Sequence, residues 1–398
     1  MIQIKLKKGK ETSILRHHPW IFSGAVSHLP ETLKDGEIVE IVDAQEKYLA
    51  TAYYQKEGSI AFKIISFEQQ TIDRLFWTKK IQAALLLRQK GNFLNKKTNI
   101  FRWINGESDG FPGLVVDCYA KVLVFQAHAW GIYQFFPIFV EIFKELLQEN
   151  LIAIYNKSEE TLKNIAEIKN IKNQYLYQNP KHPIDFLGLE NDILFHIDWE
   201  QGQKTGFFID QRENRKLLGQ LAEGKNVLNT FCYSGGFSLY ALKNKAKSVV
   251  SVDSSQRALE FLNQNLRLNQ LDQSQHQAIC SDVNLYLKQM EADFFDLIIL
   301  DPPAFAKKIS ARHKALQAYK QLNLLALKKV KKEGFIFTFS CSQAMDLNLF
   351  EHTVRSAAIE AQRDIKIVQY LHQPWDHAVS IFYPEGQYLK GLLLHIQS

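Results

Sequence analysis

The sequence predicts an α/β fold whose C-terminal half is a Rossmann-like parallel sheet, in a chain of 398 residues. Three observations carry this. After Asp210, apolar runs alternate with amphipathic segments, the βα rhythm of a parallel sheet covered on both faces. The run Leu297-Ile298-Ile299-Leu300 is apolar throughout, as a strand buried on both sides requires. Two extended segments near the end, 365–371 and 389–396, with a turn at Pro384-Glu385-Gly386 between them, predict an antiparallel hairpin on that sheet.

The elements follow in order. Residues 1–70 carry short alternating runs at 36–43, 48–54 and 59–65, split by glycine and charged turns, the pattern of a small β-barrel or curled sheet. Residues 72–90 place Ile72, Leu75, Phe76, Ile81, Ala84 and Leu85 at helical spacing, with Lys79 and Arg88 making a basic face on a connector helix. Between 100 and 198 the order reads strand (114–117), strand (122–126), helix (132–147), strand (151–155) and strand (193–198). Strands at 225–229, 248–252, 277–280, 294–300 and 334–339 follow, with helices at 238–244, 256–268 and 311–331. The expected domains are therefore 1–70, 71–198 and 199–398. The added antiparallel strand separates methyltransferase-type sheets from nicotinamide dehydrogenases.

Composition excludes several classes. No apolar run approaches the length of a membrane span, and the N-terminus has no apolar leader, so a cytoplasmic protein is expected. Cys118, Cys232, Cys280 and Cys341 are widely spaced with no CxxC, which reads as reduced thiols, with neither disulfides nor a metal site. The net charge of +6 is uneven. Residues 71–100 hold seven basic residues against Asp73 alone, and 307–332 hold nine, Lys307 and Lys308 among them, with no acid. Two such concentrations suit a polyanion, or a solvated lysine-rich helix face. Residues 101–200, with eight basic and fourteen acidic residues, suit neither.

Ligands of doubly wound sheets sit at the carboxyl ends of the strands. After the first strand comes Phe231-Cys232-Tyr233-Ser234-Gly235-Gly236, whose glycines let backbone approach a ligand, or simply turn. The pattern is not GxGxxG, so a pyrophosphate cradle is not indicated. Asp253 after the second strand suits the two hydroxyls of a ribose, or a helix cap. Asp282 after the third suits an adenine amino group, or another cap. The fourth strand ends in Asp301-Pro302-Pro303-Ala304-Phe305, a loop stiffened by two prolines that offers a carboxylate to a base edge and an aromatic ring for stacking. The fifth ends at Ser340-Cys341-Ser342. Pyrimidine C5 is unreactive until a nucleophile adds at C6, and a thiolate is the most capable side chain for that addition. Alone, Cys341 would read as a small buried hydrophobe. Beside the preceding loops it reads as the nucleophile. Cys232 lies at the cofactor end, and His377 carries no assigned role.

These segments resemble the bacterial 23S rRNA large-subunit methyltransferase I family. Gly202-Gln203-Lys204-Thr205-Gly206-Phe207-Phe208-Ile209-Asp210-Gln211-Arg212 is similar to the entry into its catalytic domain. The loop Phe231-Cys232-Tyr233-Ser234-Gly235-Gly236-Phe237, Asp253, Asp301-Pro302-Pro303-Ala304-Phe305, Ser340-Cys341-Ser342 and Tyr383-Pro384-Glu385-Gly386-Gln387-Tyr388-Leu389-Lys390-Gly391 match it in order. Arg16-His17-His18-Pro19-Trp20-Ile21-Phe22-Ser23-Gly24 resembles its RNA-binding PUA domain, and 105–114 its middle domain. The resemblance covers essentially the whole chain. It implies a PUA β-barrel, a small α+β (EEHEE) domain and a class I methyltransferase domain. It also implies S-adenosylmethionine as cofactor, 23S rRNA as substrate, and a homodimer as an arrangement family members use. Asp376-His377-Ala378 departs from the family's Asp-His-Pro, and no cysteine follows Pro302, which leaves the base that removes the C5 proton unassigned. The competing readings are methylation of a guanine nitrogen or of uracil C5, and a noncatalytic RNA-binding assembly factor.

Overall fold

The computed structural model describes residues 1–306 and 309–397, which form two compact units. The first comprises Met1–Gly188, Ile197–Phe207 and Trp375–Gly386; the second comprises Leu189–His196, Phe208–Pro374 and Gln387–Ser398.

The first unit opens with β1 (Ile2–Lys5), α1 (Thr12–Leu15), β2 (Trp20–Phe22), β3 (Ile38–Val42), β4 (Tyr48–Tyr54) and β5 (Ile60–Ser66). The strands form one sheet in the order β1-β3-β4-β5-β2, curled around Ile4, Ile21, Ile41, Ala52 and Phe62. Asp73 caps α2 (Arg74–Lys90), its carboxylate accepting the Phe76 amide at 2.9 Å.

The expected basic face of α2 is only partly there. Trp77, Ile81, Ala84 and Arg88 fall at intervals of three and four, one helical stripe, and that stripe is buried. Arg88 is consequently inside, gripping Asp109 through two bonds of 2.7 Å and donating to the Asp376 carbonyl. Lys80 Nζ donates to the Ile65 and Gly110 carbonyls, and burial pushes its pKa down to about 8.

A second sheet, ordered β10-β9-β8-β7-β6, contains β6 (Ile100–Asn105), β7 (Leu114–Tyr119), β8 (Val122–Ala127), β9 (Ala153–Asn156) and β10 (Gln174–Gln178). The helix expected over 132–147 is two helices, α3 (Trp130–Tyr133) and α4 (Phe136–Leu147), because Pro137 lacks an amide and starts the second. A further helix, α5 (Lys163–Lys169), precedes β10.

A hairpin of β11 (Leu187–Glu190) and β12 (Ile193–His196) comes next, followed by α6 (Arg212–Leu221). The second unit then runs β13 (Asn226–Thr230), α7 (Gly236–Lys243), β14 (Ser248–Asp253), α8 (Gln256–Leu268), β15 (His276–Cys280) and α9 (Val283–Gln289). It continues through β16 (Leu297–Leu300), α10 (Arg312–Lys329), β17 (Phe335–Ser340), α11 (Leu347–Ala361), β18 (Ile365–Leu371) and β19 (Lys390–Ile396). The sheet order is β15-β14-β13-β16-β17-β19-β18, parallel except for β19, which runs antiparallel to both neighbours.

The closing pair is antiparallel as the sequence predicts, but Pro384-Glu385-Gly386 does not make a tight turn between its strands. Residues 375–386 belong to the first unit. There Trp375 Nε1 donates to the Leu87 carbonyl at 3.0 Å, and the Asp376 carboxylate accepts the Arg102 amide at 2.9 Å. Polar groups made inside the first unit thus hold a segment that hydropathy alone assigns to a turn. No helix among the described residues is long and apolar enough to cross a membrane.

Candidate active site

The strand order reverses at β13, which lies between β14 and β16, so the carboxyl ends of both neighbours open beside its own. The loop after β13 is strained. Phe231 and Tyr233 have φ of 53° and 46°, and Gly235 has φ of 83°. Bulky residues in the left-handed region cost on the order of 1–3 kcal/mol each and gather at functional sites. A Cβ on Gly235 would lie 2.7 Å from Leu262, and one on Gly236 would lie 2.9 Å from Arg215 Cδ. Both positions therefore exclude side chains. Below the turn, Arg215 forms a buried two-bond pair with Glu190, 2.8 Å in each bond, and Tyr240 Oη donates to the same carboxylate at 3.0 Å.

Asp253 ends β14 and fastens this loop. Its carboxylate accepts the Tyr233 amide at 2.9 Å and the Ser255 amide at 2.9 Å. Each oxygen retains a second lone pair, and an acceptor-only group suits the hydroxyl donors of a ribose. Phe231, Tyr233, Ser234, Gly235, Gly236 and Asp253 thus form one constellation that fits a nucleoside cofactor. Asp282, at the next strand end, caps α9 by accepting the Leu285 amide at 2.9 Å. That employs one of its two oxygens. Cys232 is buried, and desolvation together with the Asp253 charge pushes its thiol well above the ordinary range.

The loops after β16 and β17 form a second constellation. Ser342 is fully buried and joins them, its Oγ accepting the Ala306 amide at 3.3 Å and lying 3.0 Å from Tyr319 Oη. Tyr319 packs on Phe305 with ring centroids 4.7 Å apart, and Arg312 Nε donates to the Ala344 carbonyl at 2.8 Å. Asp301 and Cys341 are half-buried on these tied loops, Pro302 is buried, and Pro303 is exposed. Of the four cysteines, Cys118 and Cys232 are buried, Cys280 ends the edge strand β15 and is exposed, and Cys341, just past β17, is half-buried.

In the sequence Ser342 and Lys390 stand only as members of motifs, with no role of their own, and Tyr319 is not singled out. A lysine opening the apolar strand Lys390-Gly391-Leu392-Leu393-Leu394 was the available signal for Lys390. Lys390 is 6% exposed, and its Nζ donates to the Ser342 carbonyl at 2.9 Å and the Tyr388 carbonyl at 2.6 Å. In the entry segment, Asp210 accepts from Tyr388 Oη at 2.7 Å and Gln211 from Asn214 at 2.6 Å. His377 belongs to the first unit, buried beside Asp376.

Four of the seven described basic residues in the run at 307–332 are engaged within the protein. Arg312 is bonded as above, Lys320 pairs with Glu360 at 2.8 Å, Lys331 with Asp296 at 3.1 Å, and Lys329 with the Met290 carbonyl. Lys314, Lys328 and Lys332 stay exposed, and Lys307 and Lys308 lie outside the described residues. Among the described residues no group of three His, Cys, Asp or Glu is arranged to hold a metal ion.

A doubly wound sheet with an antiparallel β19 and a strained, glycine-bearing first loop beside an acidic second strand end defines an S-adenosylmethionine-dependent methyltransferase. Residues 170–361 match the S-adenosylmethionine-dependent methyltransferase family, and residues 4–67 match a PUA-like domain. The chain belongs to the ribosomal RNA large subunit methyltransferase I family. It is 37% identical to proteins of that name from Cronobacter sakazakii and Aeromonas hydrophila, over 99% and 98% of both chains respectively. In structure it is similar to a putative SAM-dependent methyltransferase from Streptococcus mutans, with a TM-score of 0.84 at 25% identity over 99% of this chain and all of the other. A putative methyltransferase complexed with SAH aligns with a TM-score of 0.85 at 25% identity, over 99% of this chain and all of that one.

Proposed function

We propose that this protein methylates C5 of a cytosine in 23S rRNA through a covalent bond between Cys341 and C6 of the base. The observation that carries the reading is a partly accessible cysteine at the end of β17, tied by Ser342 to the carboxylate-bearing Asp301-Pro302-Pro303 loop. A nitrogen methyltransferase needs no such thiol.

Asp253 and the loop 231–236 would hold the ribose and methionine portions of S-adenosylmethionine, with Asp301 at the methionine end and Asp282 near the adenine. The cofactor supplies an electrophilic methyl group. The protein's own residues act on the base. Asp301 hydrogen-bonds its edge and supports protonation at N3, which drains electron density from the ring. The Cys341 thiolate adds at C6 and turns C5 into an enamine-like carbon. Loss of the C5 proton re-forms the double bond and expels the thiolate. Pro302, Pro303 and Phe305 bound the space for a base taken out of its stack, and Lys307 and Lys308 would meet backbone phosphates.

The division of labour follows the expected domains, with residues 1–70 binding RNA, 71–198 as connector and α+β domain, and 199–398 catalytic. The names of the curated relatives and the PUA-like match support rRNA as the substrate class. The test is methylation of unmodified 23S rRNA with labelled S-adenosylmethionine, followed by identification of the nucleoside, with Cys341→Ala alongside. 5-Methylcytidine from the wild type and none from the variant is expected. 5-Methyluridine would move the assignment to uracil, and a methylguanosine or a fully active Cys341→Ala would overturn the covalent mechanism.

A further inference from the structure

Burying a lysine ammonium is costly unless a carboxylate or a function accompanies it. Lys63 follows the rule, 2.6 Å from Glu107. Lys390 does not: its described partners are two carbonyl oxygens. Its place in the ladder is specific. Lys390 is the register partner of Ser340, and its Nζ reaches the carbonyl of Ser342. The side chain therefore spans the turn whose middle residue is Cys341.

Burial pushes Lys390 down to about 8, and the Cys341 charge is the largest influence opposing that fall, with Asp346 at the start of α11 next. Other ionisable groups on the elements around this turn are Asp301, on the loop tied to Ser342, Arg312, bonded to the Ala344 carbonyl, Tyr319, bonded to Ser342, and Asp210, which reaches the Tyr388 hydroxyl. An ammonium has three donors, and two are spent on the carbonyls. The third is not used by either carbonyl, and the Cys341 charge is the one that acts most strongly in favour of the ammonium.

We propose that Lys390 is a positioning residue that accepts the Cys341 thiol proton and holds the sulfur as a thiolate, an inference that rests on the covalent reading above. The proton passes from Sγ to Nζ. The electron pair left on sulfur forms the S–C6 bond, and it returns to sulfur, beside the ammonium, when that bond breaks at release. Burial brings the amine down toward the range in which thiols titrate, so the transfer costs less than it would to an exposed lysine.

The experiment is the pH dependence of iodoacetamide alkylation at Cys341 in the full-length protein, read by mass spectrometry with exposed Cys280 as internal reference. The Cys341 midpoint is expected at least about one pH unit below that of Cys280. Lys390→Met should raise it into the range of an exposed thiol, and Lys390→Arg should keep it low. A wild-type Cys341 that titrates together with Cys280 overturns the proposal without any variant. So does an unchanged midpoint in a Lys390→Met protein whose thermal melt shows it folded. These titrations do not depend on which base is methylated. Failure of the cytosine assignment would appear in the nucleoside analysis, and failure of the lysine's role in the alkylation profile.

Discussion

Replacing Glu190 with alanine isolates the support beneath the first loop. Arg215 and Glu190 are 3% and 0% exposed and share two 2.8 Å bonds, so the variant leaves a guanidinium buried without its carboxylate. Breaking a buried pair from one side costs about 3–5 kcal/mol. At roughly 2–4 °C per kcal/mol for a unit of this size, the unfolding temperature should drop by about 6–20 °C. The loss should reach the cofactor site, because Gly236 rests against Arg215 and Arg215 also donates to the Phe208 carbonyl at 2.9 Å. Calorimetric melting with and without S-adenosylhomocysteine measures both effects. Glu190→Leu combined with Arg215→Met removes both charges and should recover most of the stability lost by Glu190→Ala. A single variant that costs less than about 1 kcal/mol, or a double no better than the single, would refute the view that the pair supports the loop.

Other perturbations test the remaining parts. Gly235→Ala meets both a φ of 83° and Leu262 at 2.7 Å, so it should cost about 1–3 kcal/mol and weaken S-adenosylhomocysteine binding by calorimetry; unchanged affinity would count against the loop as a cofactor site. Ser342→Ala strips partners from Ala306 and Tyr319 and should destabilise by about 1–2 kcal/mol, with methyl transfer falling further than cofactor affinity; equal falls would speak against a role in joining the two loops. His276 lies 2.8 Å from Ser251 Oγ, and burial pushes it down from 6.5 to about 4. As pH falls, the unfolded chain therefore takes the proton first, and stability present above 6.5 declines toward 4 by about 1–2 kcal/mol after allowing for partial exposure. His276→Gln should flatten that part of the urea-denaturation profile between pH 7 and 4.5, and an undiminished slope would contradict it.

The parallel sheet was legible because its strands are short apolar runs between amphipathic helices, and burial on both faces leaves a composition that needs no partner to be read. The strand-end residues were legible for the same reason, since once the strands are placed their carboxyl ends follow. Other features depend on neighbours distant in sequence. β6 contains Arg102, whose charge Asp117 neutralises at 2.8 Å, and the ladder slips between Arg102 and Ile104, so no clean alternation marks it. Arg88 and Lys80 count as surface charge until the stripe of α2 is seen to face a core. Lys390 and Cys341 lie far apart in sequence, and only the antiparallel register of β19 on β17 joins them. The helix break at Pro137 is the exception, a local rule that sequence alone could have applied.

The route of the chain between β18 and β19 has a practical result for dissection by protease or by recombinant fragments. The chain leaves the second unit after Pro374, contributes Trp375–Gly386 to the first, and returns to lay β19 between two strands already in place. No single scission can release two intact units, since a cut near residue 200 strands that segment on the wrong fragment with Asp376 and Trp375 bereft of Arg102 and Leu87. Co-expression of complementary halves, not isolated halves, is the arrangement expected to restore both.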